Sequence, residues 1–167
     1  MKSSLLCIFS ILLLVSCNKG LSKADKEKTH AFLNSFIGWS QTLTKRGHAV
    51  GVLIGKKSKG EPVTAKELEQ KLADFNKVVK DKLEEVKAIK LPDFKELNDF
   101  KKMTIEYLEF ELKAVPVFKE VFNKIVPNDP NSFKKAMSGA MELNKKETEY
   151  KLKIDNQTKL IYKKLNE

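Results

Sequence analysis

The sequence predicts an all-α protein, an antiparallel up-and-down four-helix bundle whose third helix is kinked near Pro116, following an N-terminal signal segment. Three observations predict it. Apolar residues recur at three- and four-residue steps through four long segments, the spacing that lines one face of a helix. The segments are separated by short stretches of turn chemistry, among them "KKSKGEPV" and "PNDPNS". The 167 residues are 32% charged and 41% hydrophobic, a balance that belongs to helix-rich folded chains and not to disordered ones.

The first helix begins near Leu21 and carries Phe32, Leu33, Phe36, Ile37, Trp39 and Leu43 along one broad face. Over "RGHAVGVLIG" the pattern weakens, and residues 45–57 are left open between helix, strand and loop. The second helix starts at the capping box "TAKE", where the Thr64 hydroxyl accepts an amide bond and Glu67 reaches back. Leu68, Leu72, Phe75, Val79, Leu83 and Val86 then repeat, and Pro92 forces an end because the residue before proline is pushed out of the helical region.

Asp93 is the expected cap of the third helix, with Phe94, Leu97, Phe100, Thr104, Tyr107, Leu108, Leu112, Val115, Phe118, Phe122 and Ile125 facing inward. This is the widest apolar face, so the third helix is expected to be the most buried. Pro116 lacks an amide hydrogen and is expected to kink that helix or divide it in two. Asp129 as cap and Pro130 as first helical residue open the fourth helix. Its inner face is Phe133, Met137, Ala140, Leu143, Tyr150, Ile154, Ile161 and Leu165.

Ahead of these helices lies "FSILLLVSCNKG". Lys2 gives a basic start, and Leu5 to Val15 is an apolar run too short for the ~20 residues a membrane span requires. Its uniformly apolar character also argues against a two-faced core helix. The two cysteines, Cys7 and Cys17, both fall here, so the remainder of the chain has no thiol for a disulfide or a thiolate metal site.

Leu14-Val15-Ser16-Cys17 after such a run resembles the lipobox of bacterial lipoproteins. The resemblance implies diacylglyceryl transfer to the Cys17 thiol, cleavage between Ser16 and Cys17, and acylation of the new amino terminus. Two or three acyl chains give stable anchoring, at ~0.8 kcal/mol per buried CH2, where one chain holds only weakly. Asn18 follows Cys17 where an enterobacterial inner-membrane retention signal has Asp, which implies an outer-membrane destination. A Val-Ser-Cys ending on a Lys- and Asn-rich chain is also similar to spirochaete lipoproteins, many of which reach the cell surface. The expected organisation is therefore a signal peptide over 1–16, an acylated Cys17 with a short tether over 17–24, and a helical domain over 25–167.

Chemistry-bearing patterns are sparse beyond Cys17. Gly47, Gly51 and Gly55 repeat every four residues, but charged residues enclose too short an apolar run for a membrane dimer face. A tight contact inside the bundle, a short strand or a flexible loop are the expected readings. His30 and His48, the only histidines, lack the i, i+3 or i, i+4 partners that converge on a metal in a helical bundle, and a solvent-facing or capping role is expected. Glu106, Glu109 and Glu111 in "EYLEFE" read as solvated carboxylates. Trp39 and Phe36 read as core. No nucleophile elbow, phosphate-binding loop or dinucleotide fingerprint occurs, so neither enzyme nor cofactor is expected.

The formal charge is +10, yet 31 of the 32 basic residues are lysines and only Arg46 is arginine. Specific reading of nucleic acid favours the planar arginine fork, so no such partner is expected. Lysines interleaved with acids at helical spacing suggest paired, wet helix faces. Removal of residues 1–16 takes away only Lys2, and the remaining excess charge suits anionic envelope or host macromolecules, a protein or an acidic polysaccharide. The expected function is thus a membrane-anchored lipoprotein with a non-catalytic helical binding domain. The alternatives are a periplasm-facing structural subunit of an outer-membrane assembly, and a small-ligand carrier using the bundle interior. That last alternative predicts a sizeable apolar pocket between helices.

Overall fold

A computed structural model describes residues 21–167. They form four α-helices, α1 Lys23–Ser58, α2 Ala65–Ala88, α3 Lys95–Lys124 and α4 Pro130–Leu165, with no strand among the described residues. Local chemistry sets most of the boundaries. The Ser22 hydroxyl accepts from the Asp25 amide at α1. Thr64 and Glu67 complete both halves of the capping box at α2, and the Asp129 carboxylate accepts from the Asn131 amide ahead of α4. At the end of α2, the Lys101 ammonium donates to the carbonyls of Lys87 and Ile89, replacing the amides that the last turn lacks.

The helices form an antiparallel bundle in chain order, with α3 packed against both α2 and α4. Its core is two clusters. The larger joins Phe32, Leu33, Trp39 and Leu43 of α1 to Phe75 and Val79 of α2, Phe100 and Leu108 of α3, and Ile154 and Ile161 of α4. Edge-to-face contacts of Phe36 with Trp39 and Phe100, at 4.8 and 5.0 Å between ring centres, give this cluster a defined geometry. The smaller cluster, around Val50, Ile54, Leu68, Phe122 and Ala140, lies toward the connections α1 to α2 and α3 to α4. There the Asn128 amide donates to the Ser58 carbonyl at 3.1 Å. The Lys57 ammonium donates to the Phe122 carbonyl at 2.5 Å and lies 4.1 Å from that ring's centre.

Several expectations need correction. Residues 45–57 are helical, the continuation of α1 to Ser58. The glycine series makes no tight contact, because Gly51 and Gly55 have nothing within 4 Å of where a Cβ would stand and Gly47 only the Phe75 ring at 3.9 Å. Asp93 does not cap α3. Phe94 occupies that position without a side-chain bond, while the Asp93 carboxylate accepts from the Asn98 amide group instead. Of the two outcomes expected at Pro116, a kink or a division, only the division is ruled out, because α3 continues through Pro116 as one helix. Ile37 is 47% exposed, since it sits at the edge of the α1 stripe where no helix covers it. Phe36 is half-buried and Trp39 is buried, the core placement expected of them.

Candidate functional site

A closed four-helix ring needs α1 and α4 to zip together, and here they barely meet. The reason is in the side chains that face the gap. α1 presents Ser40, Thr44 and Gly47 where large apolar residues would be needed to reach across, and α4 presents Glu147, Lys151, Asp155 and Thr158. The result is an open seam holding two adjoining cavities of about 300 Å³ each, which share Thr44 and Tyr107. That volume stands at the lower end of small-molecule sites, ~300–1,000 Å³.

The first cavity has apolar walls from Leu33, Phe36, Ile37 and Ile154. Its hydroxyls are already engaged along their own helices: Ser40 donates to the Ile37 carbonyl, Thr44 to Ser40 and Thr158 to Ile154, at 2.8 to 3.0 Å. The threonines thus spend their polar atoms on the backbone of their own helix. The charges at the rim are likewise paired along α4, Lys151 with Glu147 and Lys159 with Asp155.

The second cavity is different. Leu43, Phe75, Phe118 and the Tyr107 ring enclose it, and Glu111 reaches it from α3, with His48 and Glu147 also at its wall. Glu111 is only 7% exposed and has no cationic partner within 4 Å. Burial pushes its carboxyl up to about 7 against the pull of the Tyr107 hydroxyl; Glu147 adds to the rise and Lys151 opposes it. The same burial, joined by the charge of Glu111, raises the Tyr107 phenol far above its ordinary value. One turn earlier on the same face, the fully buried Thr104 hydroxyl has no hydrogen-bond partner.

The carboxylates of "EYLEFE" therefore separate. Glu106 is exposed and Glu109 pairs with Lys87 at 3.2 Å, as solvated groups do, but Glu111 is a core residue, contrary to expectation. The signal that identifies it is its place three residues after Leu108 and four after Tyr107, on the inner stripe of α3. His30 is exposed, its ring 5.8 Å from that of Tyr162, and His48 is exposed at the cavity mouth. Cys17, the lipid-attachment residue implied by the lipobox, lies outside the described residues. Among the described residues no group of three His, Cys, Asp or Glu is arranged to hold a metal, and no helix is long and apolar enough to cross a membrane.

The fold and the seam together define a four-helix bundle with one unclosed face. Comparison with protein-family models, with curated proteins and with solved structures finds no match.

Proposed function

We propose that this chain is a lipid-anchored envelope protein of the outer membrane or cell surface, tethered through acyl chains on Cys17, whose non-catalytic helical domain binds a small, largely apolar ligand in the seam between α1 and α4. The observation that carries the binding half is the first cavity, about 300 Å³ with apolar walls and hydroxyls engaged within their own helices. Such a surface offers a ligand apolar contact and little competition from water. The anchoring half rests on the lipobox residues Leu14 to Cys17.

The apolar cavity favours the ligand-carrier role over the electrostatic contact role. Eleven of the twelve ion pairs among the described residues tie lysines to acids within one helix or its terminal turn, or across α2 and α3, so that much of the positive charge is compensated locally. An anionic macromolecule needs a concentrated potential to be held.

The test has two arms. Titration with N-phenyl-1-naphthylamine, a neutral apolar fluorophore, gives saturable enhancement at one per chain, and Ser40→Trp, which fills the cavity from its polar wall, abolishes it. Absence of saturable binding, or equal binding by Ser40→Trp, refutes the seam as a ligand site. Labelled palmitate enters the wild type but not Cys17→Ala; labelling unchanged by the substitution refutes the anchor.

A further inference from the structure

The second cavity holds a chemical feature that an apolar ligand leaves unused. Glu111 is more than nine-tenths buried, it lines the cavity, and no Lys, Arg or His of the described residues lies within ion-pairing distance of it. Lys151, the basic residue of α4 nearest in role, is paired with Glu147. A carboxyl in that position without a cation is a costly group to keep, since burying a charge is tolerated only when it is paired. The walls beside it are Phe75, Phe118 and Tyr107, whose ring faces attract positive charge. Glu147, at the same wall, is paired with Lys151.

From the juxtaposition of this unpaired carboxyl with three aromatic rings inside one cavity, we infer that the seam binds an organic ammonium ion with an apolar body, the ammonium against Glu111 and the body among Leu43, Phe75 and Phe118. An ammonium supplies what the site lacks, a counter-charge for Glu111, and adds donors to the one that Tyr107 offers. Its apolar substituent fits the remaining walls, and because the two cavities share Thr44 and Tyr107, a longer substituent extends toward Leu33 and Ile154. A free carboxylate or phosphate ligand is disfavoured there by Glu111. The groups facing Glu111 are Tyr107 on its own helix, His48 on α1, and Glu147 and Lys151 on α4. Among them the Tyr107 ring favours a cation, and Glu147 and Lys151 are paired with each other.

This inference rests on the seam being a ligand site, and the experiment separates the two. The full chain is titrated calorimetrically with phenethylammonium, with its neutral analogue 2-phenylethanol, and with the anion 3-phenylpropionate. Phenethylammonium binds best, and Glu111→Gln weakens it roughly 10- to 100-fold while leaving 2-phenylethanol and N-phenyl-1-naphthylamine unaffected. At pH 6, binding of phenethylammonium to the wild type releases a proton, read from the dependence of the heat on the buffer's ionisation enthalpy, and Glu111→Gln loses that release. Equal binding of 2-phenylethanol or 3-phenylpropionate, or unchanged phenethylammonium binding by Glu111→Gln, overturns the ammonium assignment. If the fluorophore still binds in that case, the seam stands as an apolar site; if nothing binds, both readings fall. Glu111→Gln removes a buried charge and keeps the side chain's shape, and its two-state unfolding curve verifies that it is folded before any titration.

Discussion

Glu111 makes stability depend on pH in a direction opposite to that of most carboxylates. Its folded value, about 7, stands above the ordinary 4.5 because burial disfavours the charged form. The folded state therefore holds this proton more tightly than the unfolded chain does. The stabilisation is fully present below about pH 4.5 and is lost as the pH rises through about 7. At ~1.4 kcal/mol per pH unit of difference, the loss across that window is about 3 kcal/mol. Glu67, Glu69 and Glu167 are held below their ordinary range by Thr64, Lys119 and Lys164, so their contributions disappear only in more acidic solution and leave this window clear. Glu111→Gln cannot ionise. Denaturant unfolding of wild type and variant from pH 4.5 to 8.5 should show a difference that grows with pH in the variant's favour, reaching roughly 2 to 3 kcal/mol, or ~5–10 °C in Tm for a chain of this size. A difference that stays constant with pH would refute the assignment of Glu111 as an unpaired buried carboxyl.

The backbone and cap positions give three further expectations. Gly51→Ala, in mid-helix with nothing within 4 Å of the added methyl, should raise stability by ~1 kcal/mol in a thermal melt, whereas Gly60→Ala should lower it by more than that. The reason for the contrast is that Gly60 has φ +74° and a Cβ there would fall 2.5 Å from the Asn128 amide nitrogen. Thr104→Val removes a buried hydroxyl that has no partner and keeps its volume, so urea unfolding should show stability unchanged or increased by about 1 kcal/mol, never a loss of that size. Thr64→Ala deletes one half of the α2 capping box and should cost ~1 kcal/mol with an unchanged denaturant slope.

The helices were readable because their signals are local. A Thr64-to-Glu67 box, a Pro130 after Asp129 and the three- and four-residue repeats of α2 each act within one turn, and the structure uses each as written. The misreadings have physical causes of the same scale. Asp93 has the chemistry of a cap, but Phe94 takes the capping position, and the carboxylate turns to Asn98. The glycines of α1 lower its helix propensity, yet Val50 and Ile54 bury enough surface between them to hold the segment helical. Glu111 was misread by composition. Among Glu106, Glu109 and Lys113 it looks solvated, and only its register with Leu97, Phe100, Thr104, Tyr107 and Leu108 places it inside.

The seam between α1 and α4 was not readable from any one segment, because it is a failure of two distant faces to match. Ser40, Thr44 and Gly47 are unremarkable on a wet helix, and so are Lys151, Asp155 and Thr158. Only the bundle topology sets them opposite each other, about a hundred residues apart in sequence. A bundle selected for stability alone would carry leucine or isoleucine at those α1 positions and an apolar residue at Glu111, since a few such replacements commonly add several kcal/mol without altering a fold. This chain instead keeps small residues along one face, a carboxyl without a cation beneath them and an unpaired Thr104 hydroxyl two turns away. Departures from local consistency that coincide in space in this way accord with the binding role proposed for the seam.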